Sequence, residues 1–421
     1  MCQKQEEVCC CFQSADIYLP SSEVDKFKWS VIACDQFTSE SEYWYKVEKN
    51  VSDAPSTLNL ILPEVYLEEN SSRVAKIQKN MMDYLENKIL EKAVDNGYVL
   101  VERDTDTGKR LGLVGKIDLE QYAFLPEDSC NAQIRATEKT VIERIPARIE
   151  IRKNAMLELP HVMLLFDDSK YEVLKKIYEK KEELHLLYDT DLMLDGGHVK
   201  GYAIEDEDKK DLDAMFGKMQ KENNNFMFVV GDGNHSLATA KNYWDELKSS
   251  LSVCEREKNP ARYALVEIVD LYSEMVVFKP IYRLLYDVDF QKVLEYVQRK
   301  LNSEGFQLIS GDEITFIQKD KQFAFSIENA KERLPLEIIQ NILDDFLREH
   351  VDASIDYIHG EKSLRDLIAK TGGCGIMLQP VEKENLFAAV KAGGVLPRKT
   401  FSIGEANEKR YYMECRKLKD T

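Results

Sequence analysis

The chain has 421 residues, 44% of them hydrophobic and 31% charged, and a formal net charge of −18. That composition excludes a disordered chain, and a field of that sign argues against nucleic acid or an anionic membrane surface as partner. No apolar run reaches the roughly 18 residues that cross a bilayer, and no signal-peptide pattern is present, so the cytoplasm is the expected compartment.

Residues 1–16 read as a loose arm. They carry the cluster Cys9-Cys10-Cys11, whose three adjacent thiols cannot all face one metal. The chain holds nine cysteines. The odd count and the absence of CxxC pairs exclude a disulfide framework and a zinc site of the usual spacing. Trp29–Cys34 predicts a buried strand, followed by a helix over Glu42–Val47 with Thr38 or Ser39 as its cap. Val74, Ile77, Met81, Leu85 and Ile89 recur at helical spacing, which predicts a helix over Ser72–Asn96 ended by Gly97. Tyr98–Arg103 and Leu111–Leu119 read as two strands joined by a turn at Asp104–Gly108.

Residues 131–152 set a dense run of charge in a β-like pattern. An apolar strand over Leu157–Phe166 follows, with His161 read as a core or sheet-end histidine. A helix over Ser169–Glu183 leads to a strand pair turned at Gly196-Gly197. Asp211–Lys221 is helical, Phe226–Val230 is a buried strand, and Ser236–Leu247 is a helix. Beyond Pro260 the pattern predicts strands over Tyr263–Val269 and Glu274–Tyr282. Helices over Asp289–Asn302, Leu336–His350, Ser363–Lys370 and Leu386–Ala392 come next, with a strand over Ile376–Val381. A chain this long exceeds one hydrophobic core, so two regions are expected, 17–285 and 286–421.

The segment Gly231-Asp232-Gly233-Asn234-His235-Ser236 carries the chemistry. It joins a buried strand to a helix N-terminus, whose unpaired N–H groups and partial positive charge suit an anion. Gly231 and Gly233 let an anion approach the backbone. Asp232 can hold a cation or take a proton, His235 can donate to a phosphate or act as acid or base, and Ser236 can cap the helix. The spacing is neither a Walker A loop nor a GxGxxG fingerprint.

VVGDGNHSLATAK at 229–241 resembles the Asp-Gly-His-His-Arg signature of the bacterial and archaeal DUF1015 family. IACDQFTSESEYW near the start, IRATEKTVIERIPARIEIRKNAMLELPHVMLLFDD in the middle, FKPIYR at 278–283 and LPRKTF near the end also resemble that family, in the same order. The signature arginine is Ser236 here, its preceding histidine is Asn234, and a histidine of the family's Pro-x-His-Arg is Tyr282.

The resemblance implies an α+β fold of mixed sheets with flanking helices, built on a ParB/sulfiredoxin-like catalytic core with an additional α/β region. It also implies a phosphotransferase that moves a phosphoryl group from pyrophosphate, or a nucleotide, to free L-serine. Such a reaction takes small-molecule substrates, with pyrophosphate as co-substrate and Mg²⁺ as cofactor. Phosphoryl transfer needs a positive cradle, carboxylates for the metal and a base for the acceptor. The catalytic candidates are Asp232, His235, Asp35 and Glu40, with Asp232 as metal ligand. The phosphate-binding candidates are Gly231, Gly233, Asn234, Ser236, Arg135, Arg148, Arg283, Arg398, Lys399 and Thr400. A hydrolase of a small phosphorylated metabolite and a non-catalytic ligand-binding or regulatory protein are the alternative readings.

Overall fold

The hairpin expected at Asp104–Gly108 is the spine of the larger sheet in the computed structural model. The structure describes residues 10–37, 40–125, 128, 131–138, 145–170, 172–330, 333–393, 395–397 and 399–419. The side chains of 67–72, 145–148 and 393 lie outside that description, as do residues 38 and 39, expected as a helix cap.

Leu90–Thr105 and Gly108–Asp118 pair antiparallel with Val99 opposite Val114. Strand residues alternate between faces, and the burial follows that period. Val99, Val101 and Val114 enter one core; Tyr98, Leu100 and Leu113 enter the other. Around this hairpin runs a mixed sheet in the order Tyr122–Ala123, Ile134–Arg135, Phe228–Asp232, Met163–Phe166, Tyr263–Asp270, Gly108–Asp118, Leu90–Thr105, Gly197–Ile204, His185–Leu192. Phe12–Gln13 and Ala15–Pro20 add to it, although they overlap the segment read as a loose arm.

A second sheet is antiparallel: Lys321–Glu328, Gln307–Gln318, Cys374–Leu378, Phe278–Tyr286 and Ser354–His359, in that order. Helices Phe290–Ser303 and Pro335–Glu349 cover one face and Glu361–Thr371 the other. Both sheets meet at a shared apolar seam. Leu165, Val229 and Val269 of the larger sheet pack there with Phe278, Phe401 and Ile403 of the smaller. Phe401–Ile403 pairs with the first half of Phe278–Tyr286, and the site described below lies beside this seam.

Several expectations change. Trp29–Cys34 is not a strand. Asp25 caps a one-turn helix, Lys26–Trp29, by accepting from the N–H groups of Phe27 and Lys28. The segment after it makes a single bridge, Ile32 to Tyr411. The helix expected to reach Asn96 is Asn70–Glu86. Lys88 turns the chain with φ 55°, and the apolar residues beyond belong to a strand. Gly97 does not stop a helix; a Cβ there would lie 2.5 Å from the Ile204 carbonyl oxygen of the neighbouring strand. The charged stretch read as β-like ends in a helix, Ile145–Lys153. The Gln307–Gln318/Lys321–Glu328 hairpin and the strand Ser354–His359 carry no expectation from the sequence reading.

The C-terminal segment threads back into the larger sheet's core. Arg410 is buried and bonds to Glu267 and Glu414, while its Nε donates to the Pro160 carbonyl at 2.8 Å. Arg110 stands 3.6 Å from Glu267. Burial pushes the Glu267 carboxyl up, but Arg410 and Arg110 overcome it and hold the group below its ordinary range.

Replacing Arg410 with Met leaves two buried carboxylates without that partner, so it is expected to cost about 3–5 kcal/mol at pH 7. The depressed folded pKa of Glu267 means its stabilisation is present above the ordinary glutamate range and is lost as pH falls through the folded value. Urea melts of the two proteins should therefore converge as pH falls below the ordinary glutamate range. A gap that stays constant with pH would contradict this role.

Candidate functional site

Phe228–Asp232 ends at the glycine loop because Gly233 turns the chain with φ 84° and becomes the N-cap of the helix Asn234–Lys248. A side chain at 233 would be strained, and its Cβ would stand 3.0 Å from Val162 Cα. Asp232 accepts from the Gly233 N–H at 3.0 Å and pairs with Lys409 at 3.3 Å. The N–H groups of Asn234, His235 and Ser236 begin the helix, where no preceding turn supplies carbonyls.

This loop lines a cavity of about 540 Å³. Asp35, Glu64, Glu138, His359, Lys399 and Lys409 line it too, as do Ile281 and Tyr357 of the smaller sheet. The segment before Lys139 ties these parts together. Thr137 donates through Oγ1 to the Val230 carbonyl at 2.6 Å, and its own carbonyl accepts from the Leu396 N–H at 2.7 Å. Glu138 accepts from the Thr400 N–H at 3.1 Å. Burial pushes the Glu138 carboxyl above its usual range, against the backbone N–H groups of Lys399 and Thr400 and the Lys399 charge. The His359 imidazole is pushed below its ordinary pKa by partial desolvation against the cavity wall and by the nearby charges of Lys399 and Lys409.

Asp35, Asp232, His235, Gly231, Gly233, Asn234, Ser236 and Lys399 thus converge on one cavity. Other expected residues do not line it. Glu40 is exposed at the N-terminus of the helix Ser41–Val51. Arg135 is buried with its guanidinium 4.3 Å from the Phe226 ring centroid. Arg283 is fully buried behind the wall, where its Nε donates to Gln340 at 2.9 Å and the guanidinium lies over Tyr357. Burial lowers its pKa to about 10. Thr400 is buried and donates to the Pro397 carbonyl at 2.5 Å, so it shapes the loop that carries Lys399. Arg398 and the Arg148 side chain lie outside the described residues.

Sequence reasoning missed four participants: Lys409, Glu138, His161 and Tyr412. His161 Nε2 lies 2.5 Å from Ser236 Oγ and 3.8 Å from Asp35 Oδ2, and its Nδ1 lies 3.0 Å from the Tyr412 hydroxyl. Its place directly before the strand Met163–Phe166, which flanks the glycine-loop strand, was the available signal.

The sequence profile of DUF1015, described as a protein of unknown function, matches residues 15–352. The chain belongs to the DUF1015 family. No curated protein matches it. Among solved structures, this DUF1015 protein is similar to a free serine kinase in complex with AMP, at 16% identity and TM-score 0.36, covering 68% of this chain and 85% of that one. It is also similar to SbnI with a C-terminal truncation from Staphylococcus aureus, at 8% identity and TM-score 0.37, covering 69% and 81%. A conserved hypothetical protein from Pyrococcus furiosus matches at 14% identity and TM-score 0.34, covering 71% and 90%. No described helix of the DUF1015 chain is long and apolar enough to cross a membrane.

Gly233→Ala should lower stability by about 1–2 kcal/mol, because an L-residue must adopt the left-handed region. Thermal melting checks this; an unchanged midpoint would mean the loop is not held as described.

Proposed function

We propose that this DUF1015 protein is a phosphotransferase that moves a phosphoryl group from pyrophosphate, or a nucleotide, to the hydroxyl of free L-serine, giving O-phosphoserine. One observation carries the reading. Lys399 and Lys409 share a cavity with the N-terminus of the helix Asn234–Lys248, and Asp35 lines the same space. A chain of net charge −18 attracts a polyanion only where local cations favour it, and these lysines supply positive charge beside the helix N-terminus, among the carboxylates of Asp35, Glu64, Glu138 and Asp232. The volume suits small substrates.

Lys399, Lys409 and the helix N–H groups bind and orient the phosphate groups, and their charges stabilise the negative charge of the transferring group. Asp35 takes the proton from the acceptor hydroxyl. His235 donates to a phosphate oxygen. In this reading the larger sheet belongs to a ParB/sulfiredoxin-like catalytic core, and the C-terminal segment contributes the basic loop.

Among the described residues, no three His, Cys, Asp or Glu side chains gather into a metal site. Mg²⁺ typically takes one or two protein carboxylates and fills its shell with phosphate oxygens and water. Asp232 lines the cavity to supply one, so the donor set fits Mg²⁺ that enters with the phosphate substrate.

The test is phosphorus NMR of the purified protein with serine, Mg²⁺ and, in turn, pyrophosphate, ATP and ADP. O-phosphoserine is expected with at least one donor. Lys409→Ala should raise the KM for that donor roughly 10- to 100-fold, the worth of one charge-assisted contact. No phosphoserine with any donor would overturn the proposal, and phosphate release without phosphoserine would favour the hydrolase.

A further inference from the structure

Ser236 stands where the family signature has arginine, and its surroundings are those of a nucleophile. Its Oγ lies 2.5 Å from His161 Nε2. The remainder of the network surrounds the other ring nitrogen. The Tyr412 phenol oxygen accepts from the Cys34 N–H at 3.1 Å, and its proton goes to Cys34 Sγ at 3.2 Å. That oxygen is then an acceptor towards His161 Nδ1, 3.0 Å away. In the tautomer that carries its proton on Nδ1, the Nε2 lone pair faces the serine hydroxyl. A serine hydroxyl, a histidine base and a third group that orients the base make up an activated nucleophile.

The position also suits phosphoryl chemistry. Ser236 is the third residue of the helix Asn234–Lys248, so its backbone N–H has no carbonyl from a preceding turn. Its side chain borders the 540 Å³ cavity, which Lys399 and Lys409 also line. It borders a second cavity of about 170 Å³ as well, whose walls include Leu62, Leu159, Leu237 and Leu265. His161 is 9% exposed and lines only this second, largely apolar cavity. The base thus lies in the apolar cavity, and Ser236 lines both.

We infer that Ser236 carries the phosphoryl group between donor and acceptor in two displacements. This rests on the phosphotransferase reading above. In the first step Ser236 Oγ attacks a terminal phosphorus of the donor and its proton passes to His161 Nε2. The Oγ–P bond forms as the bridging P–O bond breaks, and phosphate leaves if the donor is pyrophosphate, ADP if it is ATP. In the second step the acceptor oxygen attacks the phosphorus of phosphorylated Ser236 and gives up its proton to Asp35. Oγ leaves and recovers its proton from His161. Tyr412 is a positioning residue that holds the imidazole in the required tautomer.

The test uses the full-length protein, Mg²⁺ and ³²P-labelled pyrophosphate or γ-³²P-ATP, without any acceptor, quenched in acid and mapped by mass spectrometry. Label is expected on Ser236, with exchange of free phosphate into pyrophosphate, or of ADP into ATP, before serine is added. Ser236→Ala should take no label. His161→Gln should label roughly 10²–10⁴-fold more slowly, the usual loss when a general base is removed. Tyr412→Phe should shift the pH profile of labelling, which a merely structural contact would not do. Thermal melting of each variant verifies folding. Formation of O-phosphoserine by wild-type protein that neither labels nor exchanges would overturn the intermediate and leave the phosphotransferase reading intact. Absence of label, exchange and product together would overturn both.

Discussion

A buried guanidinium holds this structure to its site. Arg410 sits inside the larger sheet's core, bonded to Glu267 of one strand, to Glu414 of its own segment and to the carbonyl of Pro160. Desolvating so many charges is costly, and the cost is offset only where each finds its partner with good geometry. The C-terminal segment therefore has one register against the sheet. Every residue near Arg410 inherits that register.

Three consequences follow along the chain. One residue before Arg410, Lys409 is held 3.3 Å from Asp232, at the end of the glycine-loop strand. Two residues after it, Tyr412 meets His161. The Pro160 carbonyl that Arg410 grips adjoins His161 itself. The segment Thr137–Glu138 does the same for the loop that carries Lys399, through bonds to Val230, Leu396 and Thr400. The cavity is thus assembled from stretches of chain far apart in sequence, from Asp35 to Lys409. An acidic protein can place two lysines beside a helix N-terminus this way without changing its overall field.

Local features of the site were legible in the sequence. The strand, the left-handed Gly233 and the helix beginning at Asn234 all stand close to where the glycine spacing and apolar run placed them. Asp35, His235 and Lys399 reach the same cavity, and the family resemblance is borne out by a match over residues 15–352, which stops short of LPRKTF. What was not legible depends on long-range pairing. Lys409 carried no expectation, because nothing near it in sequence records its contact with Asp232. His161 read as an ordinary core histidine, since its apolar neighbours do not record the distant Ser236 and Tyr412. The arginine signal misled for the opposite reason. Arg135 and Arg283 stand in family-like motifs, yet both are buried against aromatic rings and do not line the cavity. The helix misread across Ile89–Asn96 shows the same limit. Apolar spacing there fits a helix face, and only the neighbouring strands make it β structure.

The central claim is that the glycine loop and the C-terminal lysines together form one phosphate-binding site. A crystal structure with imidodiphosphate, a slowly hydrolysed analogue of pyrophosphate, and Mg²⁺ tests it most directly. The account predicts the anion between Lys399, Lys409 and the backbone N–H groups of residues 234–236. An anion bound elsewhere on the chain, with this cavity left to water, would contradict it.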